Sequence, residues 1–459
     1  MGLYSFYRIS KPSAEKVAKE KIDAEYRTLR NRTFWGTVVA YSLYYVCRMS
    51  LSVVKQPLID EGVLSAGQLG LIGSALLFVY AVGKFMNGFI ADYCNVRRFM
   101  ATGLFISAAV NLIMGVLGLI HGPAGLPSVL IFMSFAILWG INGWMQSMGS
   151  PPGVISLSRW FPRSKRGTYY SIFSSTPYVG EFLSFILTGV VVSALGWQYG
   201  FIVSAAAGLV GSALILFMVS DTPESEGLPS NYEQAGEQKT KEDKKATKEL
   251  QKQILKHPGI WIIALSSAFI YITKYAVAGW GVLFLQKAKS FSLEDATQII
   301  AFSAAFGVVG TVLAGWLSDR VFNGDRVKPA MLSGIVSFIA LALFLSAGGG
   351  YVMNIAYVSL FSLAVGVLYC IVAGLMAVDI VPRKATGAAL GVVGISSYVA
   401  AGLQDITSGY LIQYNTSVVD GVDVYDFGPV SWFWLAAAVI SFILPGLNWK
   451  KMTKTNSKT

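Results

Sequence analysis

The chain alternates long apolar runs with shorter polar segments, and the runs show neither a helical nor a strand alternation of polar and apolar positions. A helix needs about 20 mostly apolar residues to cross the hydrocarbon core of a bilayer. Twelve runs are candidates: residues 34–54, 66–91, 99–120, 128–158, 168–194, 199–219, 259–285, 296–318, 329–347, 352–378, 386–413 and 430–448. With 54% hydrophobic and 13% charged residues, the sequence predicts a polytopic all-α membrane protein and excludes a soluble one.

Two polar segments divide this pattern. Residues 1–33 contain no apolar core before a small-residue cleavage site, so we expect no signal peptide, and the first span must itself target the membrane. Residues 220–256 form the only long polar stretch inside the chain, with six spans on either side. The predicted organisation is an N-terminal segment 1–33, a six-helix half 34–219, a solvated linker 220–256, a second half 257–449 and a tail 450–459.

The positive charges concentrate on one side of the predicted membrane. The net charge is +11, and all but six of the 36 lysines and arginines fall on the side of the N-terminus when loops are assigned alternately. Because lysine-rich and arginine-rich loops stay in the cytoplasm, both termini are predicted to be cytoplasmic, and the charge does not indicate a nucleic-acid partner. The six exceptions are Lys55, Lys287 and Lys289 in loops on the opposite side, and Arg48, Lys84 and Lys274 inside spans.

Short motifs recur between the halves at a near-constant offset. Gly88-Phe-Ile-Ala-Asp92 returns 227 residues later as Gly315-Trp-Leu-Ser-Asp319, Pro162-Arg163-x-x-x-Gly167 returns 220 later as Pro382-Arg383-x-x-x-Gly387, and Tyr45-x-x-Arg48 returns 226 later as Tyr271-x-x-Lys274. Three matches in register indicate two pseudo-symmetric halves. A parallel six-plus-six repeat around a central cavity is similar to the arrangement of the major facilitator superfamily.

The stretch "GFIADYCNVRR" also resembles that superfamily's loop motif between its second and third spans. On this interpretation a glycine permits close helix packing and an aspartate and an arginine form an ion pair at the cytoplasmic face. The residues concerned are Gly88, Asp92 and Arg97 in the first copy, and Gly315, Asp319 and Arg320 in the second. The alternative is an ordinary charged helix end, and on either interpretation the motif is structural.

Arg48 and Lys274 occupy matching depths in the two halves. Each lies 14 residues after the start of its span, which is about 21 Å along a helix. A charge at the centre of a span costs about 2.5 to 3.5 kcal/mol on insertion scales and usually faces a cavity. Each cation shares a helix face with two tyrosines, Tyr41 and Tyr45 for Arg48, and Tyr271 and Tyr275 for Lys274. This pattern predicts an anion site; the alternative is that Arg48 extends outward to the membrane surface.

Other polar groups inside the spans have two interpretations each. Lys84 is either a secondary ligand of the anion or the partner of an acid on a neighbouring helix. Glu181 and Asp405 either carry protons for coupling or balance an intramembrane lysine in the substrate-free state. Trp144 and Tyr398 are either packing residues or ligand contacts.

Longer stretches resemble one family within that superfamily. "YSLYYVCRMSLSVV", "YAVGKFMNGFIADYCNVRRFM", "NGWMQSMGSPPGVISLSRWFPRSKRGTYYSI" and "GWLSDRVFNGDR" are similar to the organophosphate:phosphate antiporter family. The resemblance implies that Arg48 and Lys274 grip a phosphate group from the two halves. It also implies a cavity lined by Lys84, Tyr41, Tyr45, Trp144, Tyr271 and Tyr398. The organic part of the substrate would rest against tyrosines and small polar residues, among them Ser174, Ser175 and Gln146.

Two positions depart from the pattern of the family. Lys274 stands where relatives more usually have arginine, and a lysine offers phosphate a compact charge where arginine offers a planar fork of donors. In the fifth span, Pro177 occupies the position of a histidine, and Phe173 and Ser174 replace a Trp-Asn pair. The two histidines of the chain lie near helix ends, so no central imidazole titrates with the substrate.

The leading hypothesis is a transporter of the bacterial inner membrane that takes up an organic phosphate monoester, a sugar phosphate or glycerol 3-phosphate, in exchange for inorganic phosphate. The alternatives are a membrane sensor of external hexose phosphate that acts with a histidine kinase, and a proton-coupled symporter that uses Glu181 or Asp405. No nucleophile-and-base arrangement, P-loop or metal-ligand spacing predicts an enzyme, a cofactor or a metal. The three cysteines predict neither a metal site nor a disulfide, and we expect a functional monomer.

Overall fold

A computed structural model describes residues 3–229, 256–381, 386–420 and 422–456. As predicted, these residues contain twelve helices long and apolar enough to cross a bilayer, here called spans 1 to 12. Their helices are Ile22–Asp60, Ala66–Ala91, Val96–Ala124, Ser128–Gln146 with Ser150–Trp160, Arg163–Leu195, Trp197–Met218, Pro258–Lys289, Leu293–Trp316, Val327–Ser346, Tyr351–Tyr369 with Ala377–Asp379, Thr386–Tyr414 and Gly428–Asn456. The fold is that of an all-α membrane protein.

Shorter elements complete the described chain. Spans 8 and 10 contain the π-helical turns Leu317–Val321 and Cys370–Met376. A short helix, two 3-10 turns and an antiparallel hairpin lie outside the spans; they are Leu3–Tyr7, Lys19–Lys21, Pro223–Glu226, and Thr416–Val419 paired with Val422–Tyr425.

Local sequence explains several helix boundaries. Ser65 and Gln68 form a capping box that starts span 2. Spans 5 and 6 are separated only by Gly196, whose φ of 101° is open to glycine and costly for other residues. Span 1 is longer than its apolar run predicted, since it begins at Ile22 and ends at Asp60. Lys55, which we had assigned to a loop, therefore lies inside the first span.

The two halves meet on the side of the membrane opposite the chain termini. Span 2 packs on span 11 and span 5 packs on span 8. A Cβ at Gly70 would overlap the backbone carbonyl of Asp405, and one at Gly409 would overlap the backbone of span 2, so these helices touch through their backbones. On the side of the termini, a Cβ at Gly88 or Gly391 would meet no atom within 4 Å. The halves are therefore packed together on the side opposite the termini, here called the closed side, whereas these glycines on the side of the termini, here called the open side, make no such contact.

The polar N-terminal segment is docked on the first half by a buried aspartate. Asp221 accepts hydrogen bonds from the backbone N–H of Ser10 at 2.8 Å and of Val96 at 2.9 Å. Its carboxylate also forms an ion pair with Arg159 at 2.6 Å. The prediction of a solvated linker is thus wrong where it starts, because Asp221 is buried; residues 230–255 of that linker lie outside the described residues.

Replacing Asp221 with alanine is expected to lower the free energy of unfolding by about 3 kcal/mol, because the buried carboxylate is the shared acceptor of one charged and two backbone donors. Detergent-purified protein should melt several degrees lower. Asp92 is the matched control, since its side chain is exposed and makes no ion pair among the described residues. Equal melting temperatures for the Asp221→Ala and Asp92→Ala variants would show that the contacts of Asp221 contribute nothing to stability.

The loop motif between spans 2 and 3 does not form the predicted latch in this conformation. Asp92 and Arg97, both described, are exposed and form no ion pair with each other. Neither Gly88 nor Gly315 is close-packed, since a Cβ at either position would meet no atom within 4 Å. In this conformation the span ends on the side of the termini are therefore not held together by the glycines or by the first-copy charges.

In the second copy, the partner of Asp319 is not Arg320, which is exposed. Arg326 forms the ion pair instead, at 2.7 Å from Asp319 and 3.1 Å from Asp379. Asp379 therefore helps to join the ends of spans 8 and 10. The repeated Pro382-Arg383 motif lies outside the described residues.

Candidate functional site

Arg48 lies at the interface of the two halves. Its side chain is only 5% exposed, and Nη2 donates a hydrogen bond to the hydroxyl of Tyr275 on span 7 at 3.0 Å. The guanidinium carbon lies 4.3 Å from the ring centroid of Tyr80, 5.4 Å from that of Tyr45 and 5.5 Å from that of Tyr398. These contacts come from both halves, so Arg48 faces the centre of the protein, and the alternative that it extends outward is wrong.

The other two predicted intramembrane cations, both lysines, also lie against tyrosines of the same region. The Lys84 ammonium lies 5.2 Å from the ring centroid of Tyr398. The Lys274 ammonium lies 4.5 Å from the ring centroid of Tyr178 and 5.8 Å from that of Tyr369. The negative faces of aromatic rings attract cations, which lowers the cost of burying these charges without neutralising them.

A cluster of tyrosines joins the three cations. Tyr398 of span 11 packs against Tyr80 at 4.6 Å between centroids and against Tyr271 at 5.2 Å. Tyr271 in turn packs against Tyr275 and Tyr369, each at 5.7 Å. The ring contacts are continuous from the first half to the second, so movement of one half against the other must rearrange them. Tyr271 and Tyr398 thus lie where the resemblance implied.

Four other predicted residues make no hydrogen bond or ring contact with the cations within the described chain. Tyr41 stacks on Phe173 at 5.1 Å and also contacts Tyr45 at 5.7 Å, whose ring lies against Arg48. Trp144 packs with Met148 and Phe99 near the end of the first helix of span 4, so its packing interpretation fits. The other two, Ser174 and Gln146, make no hydrogen bond to the cations within the described chain. Ser174 is half-buried on span 5, and the buried Gln146 donates hydrogen bonds to Ser107 and to the carbonyl of Tyr44 inside the first half.

A buried ion pair closes the side opposite the termini. Lys55 of span 1 lies 3.0 Å from Asp405 of span 11, and the indole N–H of Trp280 on span 7 donates to the same carboxylate oxygen at 2.6 Å. The Lys55 ammonium also lies 3.5 Å from the Trp280 ring centroid. Lys55 is therefore a fourth intramembrane cation, and Asp405 balances it rather than Lys84 or Lys274.

A second ion pair joins the halves nearer the surface, between Lys287 and Asp60 at 2.5 Å. Because both of its side chains are partly exposed, it is worth far less than the buried pair. Arg48 and the buried pair line one cavity, since Lys55 and Asp405 face it together with Tyr275. The closure of this side is therefore contiguous with the cation site.

The comparisons with known proteins agree with this arrangement. A family model described as Major Facilitator Superfamily matches residues 37–404. The chain belongs to the major facilitator superfamily. It is accordingly a membrane transport protein and not an enzyme. It shares its fold with a bacterial homologue of the human lysosomal transporter Spinster, whose structure was solved inward-facing and unoccupied. The TM-score is 0.74, and the sequences are 17% identical over 94% of this chain and 98% of that one.

The curated relatives place this major facilitator in the organophosphate:phosphate antiporter family that its motifs resemble. It is 35% identical to the glycerol-3-phosphate transporter of Bacillus subtilis (strain 168), over 84% of this chain and 87% of that one. It is 30% identical to the phosphoglycerate transporter protein of Salmonella typhimurium, over 84% of each. It is 27% identical to the membrane sensor protein UhpC of Escherichia coli (strain K12), over 84% of this chain and 86% of that one.

Sequence reasoning missed several residues of this site. Tyr80 lies four residues before Lys84 on one helix face, so it was detectable in the same way as Tyr41 and Tyr45. Tyr178 and Tyr369 had no such signal, because each lies on a different span from the cation it contacts. Only the packing of spans 5, 7 and 10 brings them together.

Proposed function

We propose that this protein exchanges an organic phosphate monoester for inorganic phosphate by alternating access. The proposal rests mainly on the convergence of Arg48, Lys84 and Lys274 at the interface of the halves. Within the described part of the chain, none of the three forms an ion pair. Buried charges without counter-ions are costly, so such a site favours an anionic ligand.

The chemistry of the three cations suits a phosphate group. A phosphate monoester carries a charge of about −1.5 to −2 at pH 7 and three strong acceptor oxygens. Arg48 offers a planar fork of N–H donors, and Lys274 offers a point charge with weaker angular demands. The names of the relatives, a glycerol-3-phosphate transporter and a phosphoglycerate transporter, support the same substrate class for this chain.

We infer alternating access from the position of the cations between two halves whose backbones touch on the closed side. An anion that bridges Arg48 and Lys274 would neutralise their mutual repulsion and let the open side close. An empty site keeps that repulsion, which disfavours the return of an empty carrier and favours exchange over leak. The binding energy of whichever phosphate compound is bound then offsets the free-energy cost of switching between the two states.

The charge distribution supports an orientation for this cycle. The open side carries the lysine-rich and arginine-rich segments, which in membrane proteins lie in the cytoplasm. We therefore assign both termini to the cytoplasm and the open state to the inward-facing one. Since the relatives are bacterial, the location we propose is the bacterial inner membrane.

Counterflow in proteoliposomes tests the proposal. Vesicles loaded with unlabelled phosphate should take up labelled phosphate, and external glycerol 3-phosphate or glucose 6-phosphate should compete with it. Empty vesicles should take up little, even under a pH gradient. Uptake that follows the pH gradient without internal phosphate would instead support the symporter. Binding of the esters without exchange would support the sensor.

A further inference from the structure

A second group of polar side chains lies with Lys274 on a cavity separate from the one that Arg48 lines. Tyr178 and Glu181 of span 5 line a small cavity of about 10 Å³ with Lys274, Ser303 of span 8 and Ser362 of span 10. Such a volume holds about one water molecule. Tyr178 is 5% exposed and Glu181 is 7% exposed, so both are within the protein interior.

The polar ends of this group have no partner among the described residues. The Tyr178 hydroxyl is buried and makes no hydrogen bond. No described side chain donates a hydrogen bond to the Glu181 carboxylate, and it forms no ion pair with Lys274 although both face one cavity. The Lys274 ammonium lies over tyrosine rings and makes no hydrogen bond among the described residues. Since a buried polar atom without a partner costs free energy, the Tyr178 hydroxyl, beside an ammonium and a carboxylate that form no direct ion pair, indicates a site that a ligand completes.

The three groups differ in what they can bind. The Lys274 ammonium and the Tyr178 hydroxyl are donors to phosphate oxygens, whereas an ionised Glu181 accepts hydrogen bonds only. A phosphate oxygen next to Glu181 would be repelled, and a hydroxyl group there would donate to it. The carboxylate therefore suits the organic part of a phosphate ester and not its phosphate.

The charges around the site lead to the same conclusion. Arg48, Lys84 and Lys274 supply three positive charges and an ionised Glu181 supplies one negative charge, so the site carries a net positive charge that balances one dianion. Lys55 is not free to bind a further anionic group, because Asp405 holds it at 3.0 Å. An ester that carries a carboxylate in addition to its phosphate would place that carboxylate against Glu181.

We propose that Glu181 selects the organic body of the substrate, accepting a hydrogen bond from a hydroxylated, uncharged body and excluding phosphate esters that carry a carboxylate. This inference rests on the proposed function, since it concerns the same site. Exclusion by like charge is a common way to obtain specificity between ligands that share one group.

Competition in phosphate-loaded proteoliposomes measures this selectivity. The quantity compared is the ratio of half-inhibitory concentrations for 3-phosphoglycerate and glycerol 3-phosphate against labelled phosphate, which does not depend on the absolute transport rate. The wild type should favour glycerol 3-phosphate by about thirtyfold. In the Glu181→Gln variant this preference should fall by about tenfold, as expected for the loss of one charged contact. A ratio unchanged by Glu181→Gln overturns the inference.

Two further variants keep the test decisive. Asp221→Asn also removes a charged buried carboxylate that has partners, but one outside the site, so both competitors should change alike and the ratio should stay. If Glu181→Gln does not fold, Glu181→Asp, which withdraws the carboxylate by one methylene, should relax the ratio partially, and an unchanged ratio there also overturns the inference.

The proposed function and this inference fail in different ways. If wild-type vesicles show no phosphate exchange, the proposed function fails, and the ratio is then measured as ester binding to the detergent-purified full chain by isothermal titration. A wild type that binds both esters equally, or a Glu181→Gln variant that keeps the wild-type preference, counts against the role of Glu181 whatever the outcome for exchange.

Discussion

Replacement of Arg48 with alanine should slow phosphate counterflow by about a hundredfold, which corresponds to about 3 kcal/mol for a charge-assisted contact in a buried site. Arg48 is the cation with the most contacts across the interface, since it touches Tyr275 and Tyr398 of the second half and Tyr80 of the first. Its loss removes both a ligand of the phosphate and a link between the halves. Initial rates of labelled phosphate uptake into phosphate-loaded vesicles measure the effect.

Arg48→Lys separates the charge of this residue from its shape. The lysine keeps the positive charge but loses the planar fork, so we expect exchange about tenfold slower than wild type. Arg320→Ala is the matched control, because it removes an exposed arginine outside the site and should leave the rate unchanged. An Arg48→Ala protein that exchanges within threefold of the wild type would rule out the central role of this residue.

The second large effect is expected at the closed side. Asp405→Asn leaves Lys55 buried next to a weaker acceptor, and breaking a buried ion pair costs about 3 to 5 kcal/mol. Because this pair joins spans 1 and 11 on the closed side, its loss should shift the population toward the state open on this side.

Thiol labelling reports that shift. Ser52 lines the same cavity as Lys55, so a cysteine there, in a background without the three native cysteines, should react slowly with an impermeant maleimide added outside. Asp405→Asn should raise the labelling rate at least tenfold, and the exchanged pair Lys55→Asp with Asp405→Lys should restore slow labelling. Asp60→Asn is the control, since it breaks the half-exposed pair with Lys287 and should have little effect. Equal labelling in all variants would exclude a closing role for the buried pair.

Much of the architecture could be predicted from the sequence, because a bilayer imposes one length and one composition on every span. The near-constant offset between the repeated motifs also identified Arg48 and Lys274 as a symmetric pair, since each lies the same number of residues after the start of its span. Their convergence with Lys84 on one tyrosine cluster agrees with that prediction.

What the sequence could not supply were contacts between residues far apart in the chain. Lys55 follows the end of an apolar run, where a lysine is normally solvated, and only the approach of span 11 through Gly70 and Gly409 brings Asp405 to it. Asp221 likewise looked like the start of a flexible linker until its three donors came together. In both cases a charged residue at the edge of a pattern had its partner more than 60 residues away.

The docked N-terminal segment makes the two chain ends usable as a distance gauge. Since the buried Asp221 ties Ser10 to the first half, a fluorophore attached before this segment should move with that half as one body. Span 12 continues as a helix to Asn456 and belongs to the second half. Energy transfer between dyes at the two ends would then follow the rocking of the halves in single molecules, with no label inside the membrane.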